Sequence, residues 1–272
     1  MTFSESLLSL NQTQTYLVHY DATKNASCFR YISLLDNTVT SYQIHLSNIQ
    51  QIEPYYHSNI LFVRTSSGLS VWNVTNSKIV MEYPIQDLRE ILVSKKYIAT
   101  CTSSEIRLLY ASTLTLFQSF SIQSFHVGSC ALEYIGTRTV FSFSASRGTC
   151  TICRENTLVT ISVFQSDILT IRLHSAYDII IIACAEKIKI LRLSSLDLIR
   201  QIENKVNQIH VSSLSKNMCF CSNNKGKTQC ISLQEDKSDI FIDHAAGFYL
   251  HSHGVLRNIS KDGFVIRRIR VE

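Results

Sequence analysis

A pair of short apolar strands around a tight turn recurs along this chain about every forty residues. The seven turns fall at Ser27, Gly68, Glu105, Gly148, Lys187, Gly226 and Gly263. Subtracting neighbouring positions gives spacings of 41, 37, 43, 39, 39 and 37 residues. A period of roughly 40 residues with several strands per repeat is typical of a β-propeller, in which each repeat forms one blade. Since propellers usually bind partners rather than catalyse reactions, the repeat favours a binding function.

Each turn lies between two predicted strands that are rich in Val, Ile, Tyr, Phe and Thr. The strands before the turns are predicted at residues 16–20, 60–65, 97–102, 140–146, 179–183, 218–223 and 255–260. The strands after the turns are predicted at residues 28–32, 69–74, 106–110, 149–153, 188–193, 229–233 and 264–271. Residues 179–182 are all isoleucine, which suits a strand packed between neighbouring sheets on both faces.

Two further strands complete most repeats, and no segment shows helical periodicity with a cap. Inner strands are predicted at residues 88–93, 130–134, 169–173 and 209–214, and outer strands at 79–84, 114–120, 158–164, 196–202 and 240–244. Residues 114–117 align with residues 196–199, which lie two repeats or 82 positions later. We therefore predict an all-β fold, a single seven-bladed β-propeller domain over residues 1–272 with an incomplete last blade. Whether a three-stranded blade or side-chain packing closes the ring stays open.

The composition is that of an ordinary globular protein, with 45% hydrophobic and 17% charged residues. No run of eighteen apolar residues predicts a membrane span, and no secretory leader is expected. The formal net charge of +5 fits contact with an anionic surface without establishing it. The densest basic cluster, residues 267–270, is interpreted as a solvated edge strand or as a patch for phosphate groups. Nucleic-acid binding is not expected, because the charge is low and spread out.

Cysteine and histidine usage does not predict a metal site. The nine cysteines are odd in number and lie mostly in predicted strands, so we expect reduced, buried thiols in a cytoplasmic protein. Cys150 and Cys153 have the spacing of half a zinc site, but residues three apart in a strand face opposite sides. His251 and His253 share a strand face without an evident third ligand.

No catalytic motif appears in the sequence. It contains no nucleophile elbow, no phosphate-binding glycine loop and no His-Glu-x-x-His helix. We therefore predict a non-enzymatic protein without a cofactor. An active site assembled from several blades in the central channel would leave no local signature, so it stays open as an alternative.

Several collinear segments resemble one family of propellers. Residues 148–204 read Gly148-Thr-Cys-Thr-Ile-Cys, Phe164-Gln-Ser-Asp-Ile-Leu-Thr-Ile-Arg-Leu, Ile182-Ala-Cys-Ala-Glu-Lys-Ile-Lys-Ile-Leu-Arg and Leu198-Ile-Arg-Gln-Ile-Glu-Asn. Further matches are Gly128-Ser-Cys-Ala-Leu-Glu, residues 78–110 and Lys261-Asp-Gly-Phe-Val-Ile-Arg. The pattern resembles the PROPPINs, seven-bladed propellers of autophagy and endosomal traffic that bind phosphatidylinositol 3-phosphate and its 3,5-bisphosphate.

The resemblance implies lipid-binding positions, and this chain departs from them. The family's Phe-Arg-Arg-Gly motif falls on Ile202, Glu203, Asn204 and Lys205, so an acid replaces the first arginine. Glu186 and Lys187 agree with the turn that precedes the motif in the family, and Ser222 and His244 match the second phosphate pocket. The stretch 234–239, at the place of the family's membrane loop, is short and polar. Lipid binding is therefore expected to be weakened or lost.

Beside the open alternative of a channel active site, two binding functions remain after these observations. The first is a monomeric PROPPIN-like adaptor that binds proteins of a trafficking or autophagy complex. It would be cytoplasmic, with peripheral contact to endosomal, vacuolar or pre-autophagosomal membranes carrying phosphoinositides. The second is a general WD-repeat-type scaffold of another complex, although Trp72-Asn73 is only a faint echo of the Trp-Asp dipeptide.

Overall fold

The computed structural model shows a chain of antiparallel strands joined by turns. It describes the backbone of the strands named below and of residues 48–55, 59–135, 138–154, 157–174 and 177–203. Side chains are described for residues 40–41, 48–55, 59–134, 139–154, 157–174 and 177–203. Within this described part, no helix is long and apolar enough to cross a lipid bilayer.

The chain divides into two compact units, and the first, Met1–Phe125, contains three sheets. Sheet 1 consists of β1 (Ser6–Leu10), β2 (Tyr16–Thr23), β3 (Ala26–Ser33) and β4 (Val39–Ile44). Sheet 2 consists of β5 (Ile49–Pro54), β6 (Ile60–Thr65), β7 (Gly68–Asn73) and β8 (Lys78–Pro84). Sheet 3 consists of β9 (Glu90–Val93), β10 (Tyr97–Cys101), β11 (Glu105–Tyr110) and β12 (Leu116–Ser121).

The second unit, His126–Glu272, contains four sheets. Sheet 4 consists of β13 (Cys130–Ile135), β14 (Arg138–Ser146), β15 (Thr149–Arg154) and β16 (Thr157–Ser162). Sheet 5 consists of β17 (Thr170–His174), β18 (Ile179–Ala183), β19 (Lys187–Arg192) and β20 (Leu198–Glu203). Sheet 6 consists of β21 (His210–Leu214), β22 (Met218–Ser222), β23 (Lys227–Ser232) and β24 (Ile240–Asp243). Sheet 7 consists of β25 (Gly247–Ser252), β26 (Val255–Ser260) and β27 (Ile266–Arg270).

Every sheet is an antiparallel meander in which strands pair in the order of the chain. Four-stranded meanders of this kind are the blades from which propellers are built. The predicted all-β architecture is therefore confirmed. Among the described residues the last sheet has three strands, in agreement with the expected incomplete blade.

Apolar cores lie between neighbouring sheets within each unit. Between sheets 4 and 5, one cluster joins Ile152 of β15 with Ile180 and Ile182 of β18. All five residues of β18 are buried, as its unbroken apolar sequence predicts. The outer strand β16, by contrast, is exposed along most of its length. In sheets 2 to 5, whose side chains are described, the middle strands are mostly buried and the last strand is mostly exposed to solvent.

A polar side chain links sheets 2 and 3. The Gln51 side chain on β5 accepts a hydrogen bond from the Ile91 amide on β9 (2.9 Å) and donates to the Ile91 carbonyl (2.8 Å). A side-chain amide has both a donor and an acceptor, so it can hydrogen-bond both the N–H and the C=O of a residue on a neighbouring strand. This pairing explains why β5 tolerates polar residues.

The turn before the outer strand has the same backbone conformation in sheets 3 and 5. Leu114 and Leu196, aligned from the sequence, both have left-handed backbones, with φ of 55° and 65°. Each donates its amide to the carbonyl four residues earlier at 2.8 Å. Both following strands show a register shift against their partner strand. The alignment of these two repeats is therefore reproduced in backbone geometry.

The described cysteines are buried thiols, as predicted. Cys101, Cys130, Cys150, Cys153 and Cys184 are all free and buried. Cys150 pairs with Ile161 and Cys153 with Leu158 along the same strand pair, so the two thiols face opposite sides of sheet 4. Among the described residues, no group of three His, Cys, Asp or Glu residues could hold a metal ion.

Candidate functional site: a basic groove between sheets 4 and 5

A groove of about 470 Å³ opens between sheets 4 and 5. It is lined by Arg147, Ser162, Val163, Phe164, Gln165, Ser166, Cys184, Glu186, Lys187, Lys189 and Gln201. Three of these side chains are basic and one is acidic. The groove therefore presents a polar and mainly cationic surface.

The β14–β15 turn positions one wall of the groove. The amides of Val163 and Phe164 donate to the Gly148 carbonyl at 2.8 and 3.1 Å. These bonds hold the segment that follows β16 against the turn. Arg147, the residue before Gly148, is exposed at this edge. The turn glycine that recurs in the sequence repeat thus places an arginine at the groove.

The opposite wall is the β18–β19 turn. The Cys184 amide donates to the Lys187 carbonyl at 2.9 Å, and the Lys187 amide donates to the Cys184 sulfur at 3.3 Å. Glu186 lies between them in sequence and is exposed, as is Lys187. The short turn therefore presents a carboxylate and an ammonium group side by side.

Lys189 crosses from one wall to the other. Its Nζ donates to the Val163 carbonyl at 2.7 Å and lies 5.2 Å from the centre of the Phe164 ring. An ammonium group over an aromatic face gains a cation–π attraction, and its aliphatic stem can cover apolar surface. Because an ammonium group has three donors, Lys189 can also donate to an anion in the groove.

The structure places three of the predicted site residues, Glu186, Lys187 and Glu203, in or beside this groove, and a fourth, Ile202, on the opposite face of sheet 5. Glu186 and Lys187 line the groove, and the phosphate-binding role that the family resemblance implies for their turn stays a prediction. Glu203 is exposed and lies directly opposite Lys187 in the β19–β20 pairing. Ile202 is half-buried and lies opposite Ile188. Glu203 is therefore the cross-strand neighbour of Lys187.

The other predicted site residues have no described side chains. Ser222 ends β22 in sheet 6, where only its backbone is described. His244, Asn204 and Lys205 lie outside the described residues. The predicted second phosphate pocket therefore stays a prediction.

This arrangement can bind an anion weakly. Opposite charges directly across a strand pair attract each other, so Glu203 reduces the charge that Lys187 offers to a ligand. Glu186 adds a second negative charge at the same turn. An anion at the groove would depend on Arg147 and Lys189 as well as on Lys187.

Arg147 and Lys189 were missed by the sequence prediction. Lys189 is two residues from Lys187, so strand periodicity alone places both on one face of β19. Arg147 comes from the neighbouring repeat, 40 residues before Lys187. Its position beside the recurring turn glycine was a signal, but only the packing of sheet 4 on sheet 5 brings it to the groove.

Comparison with known proteins identifies the fold. The chain is similar to the crystal structure of Hsv2 from Kluyveromyces marxianus, with a TM-score of 0.73, 13% identity, and coverage of 93% of this chain and 87% of that one. Kluyveromyces lactis Hsv2p matches with a TM-score of 0.70 and 11% identity over 98% and 97% of the two chains. The Cps50 (Swd1) β-propeller domain of Myceliophteria thermophila matches with a TM-score of 0.68 and 11% identity over 100% and 98%.

These likenesses establish a β-propeller. The Hsv2 proteins are PROPPIN propellers, so the predicted resemblance to that family is confirmed for the fold. The Cps50 domain matches almost as well. The structural likeness therefore identifies the fold but does not assign a role. No family model matches the sequence, and no curated protein matches it.

Proposed function

We propose that this chain is a non-enzymatic propeller adaptor of the PROPPIN kind, acting in autophagy or endosomal membrane traffic. Its affinity for phosphatidylinositol 3-phosphate and the 3,5-bisphosphate is weak. Support comes from two independent sources, the collinear sequence resemblance and the likeness to the Hsv2 folds. The protein acts mainly by binding partner proteins, with the membrane as a secondary contact.

The weak lipid binding rests on one observation, the position of Glu203. It lies directly opposite Lys187 in the strand pairing, and Lys187 lines the basic groove. A carboxylate at this place repels a phosphate headgroup and attracts the lysine that would bind it. The groove retains Arg147, Lys187 and Lys189, but Glu203 offsets part of their charge.

Liposome flotation tests this proposal. We expect wild-type recovery with phosphatidylinositol 3-phosphate vesicles to be little above that with vesicles lacking the lipid. Glu203→Arg should raise the lipid-dependent recovery about tenfold, because each basic residue near an anionic membrane contributes about 1 kcal/mol.

The matched control is Glu82→Arg, which makes the same charge change at an exposed residue of the outer strand β8. If Glu82→Arg raises recovery as much as Glu203→Arg, general charge and not the groove governs binding. Strong, 3-phosphate-specific recovery of the wild-type protein would contradict the weak-affinity proposal.

A scaffold subunit of another complex is the second candidate, favoured by the match to the Cps50 domain over the whole of this chain. Affinity purification from the native cell separates the two candidates. Recovery of autophagy or endosomal trafficking proteins supports the adaptor. Recovery of an unrelated stable complex without them supports the second candidate.

A further inference from the structure

The outer strand of sheet 4 has an unprotected edge. β16, with the sequence Thr157-Leu-Val-Thr-Ile-Ser, is the last strand of its sheet, and all its residues except Ile161 are exposed. Its pairing with β15 is regular from Thr157 to Ser162 without a register shift. In a terminal strand every second residue directs its N–H and C=O groups away from the sheet, which offers a template for another strand.

Other outer strands carry the devices that block such pairing. Of the four outer strands with described side chains, β8 contains lysine, glutamate and proline and also shows a register shift. β12 shows a register shift, and β20 combines a register shift with an arginine and a glutamate. Charges, prolines and bulges are the usual protections of an edge. Among these four strands, β16 alone has none of them.

Exposed apolar side chains flank this edge. Val159 of β16 is 41% exposed and pairs with Ile152, which packs in the core facing sheet 5. Leu198 of β20 is 55% exposed and pairs with Leu191 of the same core. Val159 and Leu198 therefore lie on the facing sides of sheets 4 and 5. On the other face of β16, Leu158 is 51% exposed.

The same edge leads into the basic groove. Ser162, the last residue of β16, lines the groove together with Lys187 and Lys189. The Lys189 ammonium lies 2.7 Å from the carbonyl of Val163, the residue after the strand. A strand paired with β16 would therefore contact the apolar Val159 at one point and, beyond Ser162, the cationic Lys187 and Lys189. This charge pattern is complementary to an acidic ligand.

We propose that β16 is a docking edge for an extended acidic peptide of a partner protein. The peptide adds to sheet 4 as a further strand, packs an apolar side chain against Val159 and Leu198, and places a carboxylate at Lys187 and Lys189. Main-chain hydrogen bonds supply affinity in this mode, and side-chain contacts supply specificity. The inference deepens the adaptor role proposed above and rests on it for the statement that the ligand is a protein.

Short fluorescein-labelled peptides test the proposal with the purified full chain. One peptide alternates glutamate with threonine in its first half and valine with threonine in its second half, and the other has the reverse order. Fluorescence anisotropy should show that one of the two binds and thereby give the strand direction. The same peptides with lysine in place of glutamate should not bind. On binding, hydrogen exchange of the β16 amides should slow while that of the β8 amides is unchanged.

Matched variants locate the contact. Val159→Glu should weaken binding about tenfold, because it removes an apolar contact and adds a repelling charge. Val80→Glu, at a residue of β8 that is 56% exposed, should have no effect. Lys187→Gln should weaken binding and reduce its dependence on salt, whereas Lys78→Gln on β8 should change neither. All variants change exposed residues, so an unaltered unfolding midpoint verifies their folding.

Several results would overturn the inference. Binding of neither glutamate peptide, equal binding of the lysine peptides, or full binding by Val159→Glu would each do so. A concentration-dependent dimer that Val159→Glu dissociates would assign the edge to a second copy of this chain. Vesicle recovery lost in Val159→Glu, with no peptide bound, would assign it to a membrane. Because the peptide assay uses neither vesicles nor cell partners, its failure is separable from failure of the adaptor proposal.

Discussion

Among the glycines that the structure describes, Gly148 is the one at which the backbone leaves least room for a side chain. Its φ is +67°, and a Cβ atom there would lie 2.0 Å from the Phe164 carbonyl oxygen and 2.7 Å from its carbon. That carbonyl belongs to the segment that Gly148 itself holds through hydrogen bonds to Val163 and Phe164. Any side chain at this position must therefore move the wall of the basic groove.

Gly148→Ala should destabilise the protein by about 3 kcal/mol or more, because a backbone clash adds to the cost of the left-handed conformation. Gly128→Ala is the matched control, since its φ is +89° but its Cβ would lie 3.4 Å from the nearest atom. We expect the control to cost roughly 1–2 kcal/mol, mainly in backbone conformation. Urea unfolding of both variants measures the difference, and equal losses would argue against the clash.

The turns before three outer strands contain non-glycine residues in the left-handed backbone conformation, which is unfavourable for such residues. Ser77, Leu114 and Leu196 occupy left-handed conformations before β8, β12 and β20. Buried Leu114 packs in the core between sheets 2 and 3, so its contacts offset the unfavourable backbone. Ser77 is exposed and has no core to gain from. The left-handed residue is therefore compensated by packing in the Leu114 turn but not in the Ser77 turn, where the Ser77 amide donates to the Val74 carbonyl at 3.2 Å.

Ser77→Gly should stabilise the protein by roughly 0.5–1 kcal/mol, because glycine adopts a positive φ without the steric cost that serine carries. Ser112→Gly is the comparison, since Ser112 is exposed in a turn and is not among the residues with positive φ. There the glycine should lower stability by increasing the freedom of the unfolded chain. Thermal or urea unfolding measures the stability of both variants. A loss of stability in Ser77→Gly would show that the left-handed conformation of Ser77 carries no steric cost.

On the scale of the whole molecule, stability comes from apolar faces buried between neighbouring sheets. Cys150 lies fully buried in the core between sheets 4 and 5, with its sulfur 3.2 Å from the Ser142 hydroxyl oxygen. Burial raises the pKa of the Cys150 thiol from 9.0 to about 12, although the hydrogen bond to Ser142 opposes the shift. The folded protein therefore keeps a proton that the unfolded chain releases in mildly alkaline solution.

This linkage predicts how stability depends on pH. Below pH 9 the thiol is protonated in both states, and between pH 9 and 12 only the unfolded state loses the proton. The free energy of unfolding should therefore fall as pH rises through this range, by up to about 1.4 kcal/mol per pH unit for this group.

Cys150→Ala isolates the contribution of Cys150 from those of other groups that titrate in the same range. The variant should be less stable at pH 8 because it leaves a cavity, but its stability should fall less steeply above pH 9. Urea unfolding at a series of pH values measures both slopes. Parallel curves for wild type and variant would show that the Cys150 thiol is not linked to unfolding.

Periodicity alone determined the strands whose burial follows from their own composition. β6 and β18 begin and end at the predicted residues and are mostly buried, because mainly apolar segments between turns have few other ways to be buried. β5 was missed because it carries Gln51 and Glu53. The Gln51 amide donates to Glu53 on its own strand and exchanges two hydrogen bonds with Ile91 on another sheet, and no local sequence pattern shows the contact with Ile91.

The family resemblance in the sequence singled out Glu186, Lys187 and Glu203, and strand pairing in the structure sets Glu203 opposite Lys187. The sequence by itself therefore determined the repeat and the all-β fold, while the altered motif stays a prediction. Tertiary structure decided that Arg147 and Lys189 complete the groove and that β16 presents an unprotected edge. The physical reason is that strand faces are set by neighbours two residues away, whereas grooves and edges depend on which sheet packs next to which.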